Sequence, residues 1–128
     1  MLDGFVKVAA GTPDIKVADC AHNARACIAL MRQAAEQKVK VLCLPELCLT
    51  GYTCGDLFLQ NTLLAGAERG LEAILEASRD LDLLTAVGLP VRSKWDSKLY
   101  NCAAVLYRGE LRGLVPKIYL PNYGEFYE

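Results

Sequence analysis

Glu46 follows an unbroken apolar stretch, Val41-Leu42-Cys43-Leu44, with only Pro45 between them. Desolvating a carboxylate costs several kcal/mol, so a carboxylate in such a place is normally paired or functional. Lys117 stands in the same relation to Val115-Pro116, again where an apolar run meets a loop. Open α/β sheets form their sites at the carboxyl ends of strands. Two opposite charges at two such ends can share one pocket, either as a reactive pair or as a structural salt bridge. From these two residues alone, both readings stand.

The elements that must position them alternate between strand and helix. Phe5 to Ala10, closed by Gly11-Thr12-Pro13, has the length, valines and boundary of a strand. Val17, Ala21, Ala24, Ile28, Met31 and Ala35 recur at spacings of four and three, one face of a helix over about 19–37. Asp14 or Asp19 can cap its start. Val39 to Leu44 is a second strand; lacking alternation, it is expected to be buried on both faces. A loop rich in Gly, Thr, Tyr and Cys covers 48–56. Leu63, Ala67, Leu71, Ile74 and Ser78 then mark a second helix over about 61–79. Leu83 to Pro90 is a third strand. Leu99–Tyr107 and Leu111–Val115 form a hairpin through Arg108-Gly109-Glu110. The pattern predicts an α/β fold with mixed strand pairing. Glu46 and Lys117 should then lie at the carboxyl ends of neighbouring strands.

Composition narrows the class. With 128 residues, 53% hydrophobic and 23% charged, the chain can bury a sizeable single-domain core and is not disordered. Fourteen basic against 15 acidic side chains give a net charge of -1, which removes the electrostatic case for nucleic acid or an anionic membrane surface. No run approaches the roughly 18 uncharged apolar residues of a spanning helix. Met1-Leu2-Asp3-Gly4-Phe5 lacks the basic start of a secretory signal. The six cysteines, at 20, 27, 43, 48, 54 and 102, form no C-x-x-C pair. The single histidine, His22, reads as a partly exposed helix residue, so a zinc site would need almost all thiolate ligands. Cys20, Cys27, Cys43 and Cys102 lie in apolar segments as small hydrophobes. Reduced thiols, no metal and a cytoplasmic location are the expectation.

The surroundings of the two charges carry more. Leu44-Pro45-Glu46-Leu47-Cys48-Leu49-Thr50-Gly51-Tyr52 is followed, about seventy residues on, by Pro116-Lys117-Ile118-Tyr119-Leu120-Pro121-Asn122-Tyr123-Gly124-Glu125-Phe126. These blocks resemble the P-E-x-x-x-T-G-Y and K-x-x-L-P motifs of the nitrilase (carbon–nitrogen hydrolase) superfamily. Asp19 and Asn23 fall where that family begins its first helix. The continuation Gly55-Asp56-Leu57-Phe58 and the closing run Leu120 to Glu128 are similar to the glutaminase domain of glutamine-dependent NAD+ synthetases.

The resemblance implies the first half of a four-layer αββα sandwich, a mixed sheet with two outer helices. It implies catalysis by a Glu, a Lys and a Cys. Glu46 would be the general base, which requires a carboxyl held toward neutrality by burial. Lys117 would stabilise the oxyanion. Glu125 matches a supporting acid, and Tyr52 and Tyr123 stand where glutamine-binding tyrosines are expected; the plain reading of those tyrosines is core aromatics. The nucleophilic Cys should follow the Lys block by several dozen residues, and none of the six cysteines matches it. Cys43 and Cys102, inside strands, should not present a thiolate; Cys48 and Cys54 are the in-chain alternatives. Residues 1–128 are therefore expected to be a partial glutaminase domain, truncated before the nucleophile. ATP and Mg belong to an absent synthetase domain. Glutamine, that synthetase domain and further copies of the chain are the implied partners. The rivals are a free-standing amidase acting on a small amide and a non-catalytic interaction module.

Overall fold

Two strand–helix–strand units open the chain and a hairpin extends them. The structure, a computed structural model, describes residues 4–120. In order, the elements are β1 (Val8–Ala10), α1 (Cys20–Glu36), β2 (Val41–Cys43), α2 (Asn61–Ala77), β3 (Leu84–Arg92), β4 (Leu99–Tyr107) and β5 (Glu110–Pro116). Short 3-10 turns occupy Gly55–Leu59 and Ser78–Asp80. The strands lie in the sheet as β1-β2-β3-β4-β5. β1, β2 and β3 run parallel, while β4 and β5 are added antiparallel. Parallel crossovers are right-handed, and the first two advance in the same direction, so both helices land on one face. Met31 and Ile74 from the helices pack there with Leu42, Val87, Leu89, Ala104 and Leu106 from the sheet. The expected α/β architecture with a mixed sheet and two outer helices is the one observed.

Helix α1 starts at the cap expected for it: the Asp19 carboxylate accepts from the His22 amide at 3.1 Å. Its buried stripe differs from the one predicted. Cys20, Asn23, Ala24, Cys27, Met31 and Ala34 face inward, whereas Val17 is 53% exposed. So many positions of this helix are alanine that the apolar pattern does not choose between adjacent stripes. Asn23 decides the stripe by bonding: its amide donates to the Lys16 and Leu49 carbonyls, and its oxygen accepts from the Lys16 amide. Helix α2 buries Leu63, Leu64, Ala67, Gly70 and Ile74, close to the predicted face.

The second correction concerns β2. It is three residues long and alternates, with Leu42 buried against the helices and Val41 and Cys43 exposed. Among the described residues, the helices cover one face of the sheet only. Val8 and Val115 also stand exposed, so the apolar run around β2 faces two different surroundings. Phe5, expected in the first strand, precedes it and is exposed. No helix among the described residues is long and apolar enough to cross a membrane.

Candidate active site

β2 and β5 end at the same edge of the sheet, because two antiparallel steps from β3 return β5 to the direction of β2. They are not neighbours: β3 and β4 lie between them. At about 4.8 Å per strand, the separation is about 14 Å, too far for Glu46 to reach Lys117 from a position directly above β2. The chain closes this gap by crossing the sheet. Leu44 donates to the Ala86 carbonyl at 3.0 Å and Leu49 to the Gly88 carbonyl at 3.1 Å, so residues 44–49 pass over β3. The crossing is at Gly88, where a Cβ would lie 2.6 Å from the Pro45 oxygen and 2.3 Å from the Leu47 nitrogen. Only glycine permits that approach. Leu47 itself takes φ +53°, a left-handed conformation costing about 1–2 kcal/mol for a residue with a side chain. The Gly51 amide donates to the Leu47 carbonyl at 2.8 Å, and buried Asn23 holds the Leu49 carbonyl at 3.0 Å, so the turn is fixed from both ends.

Carried across β3, Glu46 meets two donors at one oxygen. Lys117 Nζ donates to Glu46 Oε1 at 2.7 Å, and Asn101 Nδ2 donates to the same atom at 2.6 Å. Asn101 lies on β4 opposite Pro90, and its carbonyl accepts from the Lys117 amide at 2.7 Å. The three side chains rim a cleft of about 260 Å³ with a floor of small residues, Ala86, Gly88 and Ala103. The Glu46 side chain is 40% exposed and that of Lys117 is 31% exposed. The burial expected of the base is thus not supplied by the described residues.

Tyr52 does not line that cleft. It borders an adjoining cavity of about 590 Å³ with Leu47, Phe58, Leu99 and Tyr100, and Asn101 lines both spaces. Tyr123 and Glu125 lie outside the described residues. His22 is half-buried on α1, its ring 3.1 Å from the Asp14 carbonyl. The cysteines are placed differently from expectation. Cys43 is exposed and lines the cleft with Glu46, because it points to the open face of the sheet. Cys48 and Cys54, the in-chain alternatives, are buried. Cys48 Sγ lies 3.8 Å from Cys27 Sγ, and this hydrogen bond, with burial, pushes the Cys27 thiol up. Burial raises the Cys54 thiol, while the hydrogen bonds of Cys27 and of the Gly88 backbone draw the Cys48 thiol down; both loop cysteines are buried and neither lines the cleft of Glu46. Among the described residues, no group of three His, Cys, Asp or Glu can hold a metal ion. Asn101 and Gly88 were not among the expected site residues. The available signals were an amide in an otherwise apolar hairpin strand and a glycine inside a strand, which marks a close backbone approach.

The fold is an α/β sheet with a carboxylate and an ammonium joined at its carboxyl edge. The carbon–nitrogen hydrolase family matches residues 7–128, and the chain belongs to it. A glutamine-dependent NAD(+) synthetase from Mycobacterium leprae is 41% identical over 125 residues, covering 98% of this chain and 18% of that protein. The chain thus spans about a fifth of the length of such curated relatives. Among solved structures, a glutamine-dependent NAD+ synthetase from Acinetobacter baumannii superposes with a TM-score of 0.81 at 28% identity, covering 88% of this chain and 21% of that one. An amidase from Nesterenkonia sp. shares the fold, with a TM-score of 0.76 at 22% identity, covering 94% of this chain and 45% of that one.

Proposed function

We propose that these residues are the opening part of the glutaminase domain of a glutamine-dependent NAD+ synthetase. The Glu46–Lys117 pair carries the reading: a carboxylate and an ammonium 2.7 Å apart at the rim of a cleft. A half-exposed ion pair contributes at most about 1 kcal/mol, a weak reason for a strained crossing of the sheet to build it. Identity of 41% over nearly the whole chain to a named synthetase, against 22% to the amidase, favours this reading over a free-standing amidase.

In the proposed reaction, Glu46 takes the proton of a cysteine thiol as its sulfur bonds to the amide carbon of glutamine. Lys117 offers its charge to the oxygen that becomes negative in the tetrahedral intermediate. Glu46 returns the proton to the nitrogen as the carbon–nitrogen bond breaks and ammonia leaves. It then draws a proton from water, which attacks the thioester; glutamate leaves and the thiol is restored. The thiol is supplied by a segment following the 128 residues, and the ammonia amidates adenylated deamido-NAD at an ATP- and Mg-dependent domain of the same longer protein. A cytoplasmic, oligomeric enzyme is part of this reading. Tyr52 and Tyr123 bind glutamine, and Glu125 supports the site. The 128 residues alone are inactive.

The test is an isotope transfer. Given amide-15N glutamine, ATP, Mg and deamido-NAD, the full-length gene product should form NAD+ labelled in its carboxamide. Glutamine hydrolysis without labelled NAD+ would point to a free-standing amidase. No hydrolysis at all would point to an interaction module.

A further inference from the structure

We propose that Asn101 is a positioning residue for Glu46: its amide fixes one carboxylate oxygen and leaves the other to carry the proton. The inference rests on the acid–base role proposed for Glu46. Both described donors converge on Oε1, Asn101 at 2.6 Å and Lys117 at 2.7 Å, and among the described residues none bonds Oε2. An ionised carboxylate only accepts, so Asn101 must turn its nitrogen, not its oxygen, toward Glu46.

The two donors are not equivalent over a catalytic cycle. When Oε2 takes up a proton, the carboxyl becomes neutral and the attraction of Lys117 for it weakens. Oε1 is then a carbonyl oxygen, still an acceptor for a neutral amide. Asn101 therefore holds Glu46 in the same orientation in its acid and base forms, and frees Lys117 to turn its charge to the oxyanion. The amide is mounted on β4, a strand of the sheet, and its backbone carbonyl also holds the Lys117 amide. One residue thus sets the separation of acid and cation. Its place between the cleft and the Tyr52 cavity puts this control where a substrate entering from that cavity would meet the pair.

The experiment compares Asn101→Ala, the near-isosteric Asn101→Asp and Glu46→Gln in the full-length enzyme. It measures kcat and KM for glutamine across pH, with thermal melting as a check of folding. Asn101→Ala should lower glutamine-driven kcat about 10- to 100-fold, as misplacement of a reacting group does, while KM changes less than about threefold. The acid limb of kcat/KM should move to higher pH, because a donor to the charged form is lost. Asn101→Asp keeps the shape but sets a second carboxylate beside Glu46, and should move that limb further in the same direction. An acid limb that stays in place in both variants, or a loss confined to KM, overturns the positioning role. If Glu46→Gln keeps glutamine turnover, the base assignment itself fails. If Glu46→Gln is inactive while both Asn101 variants keep the parent profile, only the role of Asn101 fails.

Discussion

Leu47 passes over Gly88 so closely that a Cβ on residue 88 would lie 2.3 Å from the Leu47 nitrogen. That contact lets Glu46 leave β2, cross β3 and reach a lysine at the end of β5. The position of the acid is therefore set by a glycine forty-two residues later in the chain.

Gly88→Ala should displace the Pro45–Leu47 backbone and separate Glu46 from Asn101 and Lys117. Overpacking of this kind costs about 1–3 kcal/mol of stability. A shift near 1 Å should lower glutamine-driven turnover of the full-length enzyme about 100-fold. Denaturant unfolding and steady-state kinetics measure the two effects. Parent-like turnover in a folded Gly88→Ala protein would show that the crossing does not place the acid.

Away from the site, Asp82 ties three strands together. It accepts from Lys40 Nζ at 2.6 Å and from the Tyr107 hydroxyl at 2.7 Å, with the Arg108 guanidinium at 4.0 Å. The Lys40 and Tyr107 bonds pull its carboxyl down to about 2. A depressed carboxyl stabilises the fold above its unfolded value of about 3.9, and that contribution is lost as pH falls through the folded value. Asp82→Asn should lower the Tm at neutral pH, with the gap to the parent narrowing below pH about 4 and closing near 2. A gap independent of pH would show that the charge of Asp82 contributes nothing.

The 128-residue chain, expressed alone, should associate and release no ammonia from glutamine. Among the described residues β5 is an edge strand, and Val8, Val41 and Val115 each stand exposed on the sheet. Unpaired edges and exposed apolar surface favour association with a second copy. Light scattering should report a dimer or larger species across a tenfold range of concentration. A compact monomer throughout contradicts this, and measurable ammonia release contradicts the proposal that the reacting thiol lies outside these residues.

The parts of this fold legible in the sequence are those governed by one strong pattern. Helix α2 buries Leu63, Ala67 and Ile74 because its leucines and isoleucine leave only one apolar face. The 99–116 hairpin follows from two apolar runs and a turn at Arg108-Gly109. The register of α1 was not legible, since alanines on several sides compete and a polar Asn23 takes a buried place. β2 alternates although its residues are nearly all apolar, so composition alone misjudged its two faces. The charges of Glu46 and Lys117 were visible from their neighbours in sequence. Their sharing of one pocket was legible too, but as a contact between neighbouring strands; the route across two intervening strands was not, because it depends on a tertiary crossing at Gly88.

The acid–base role of Glu46 is tested most directly by Glu46→Gln in the full-length enzyme, assayed in parallel with glutamine and with ammonia as nitrogen source. The substitution keeps the shape and an acceptor for Asn101 and Lys117 but removes the ability to take a proton. Glutamine-driven NAD+ formation should fall about 10²- to 10⁴-fold, while ammonia-driven formation stays largely intact. Equal loss of both activities, or retention of both, would contradict the assignment of Glu46 as the base.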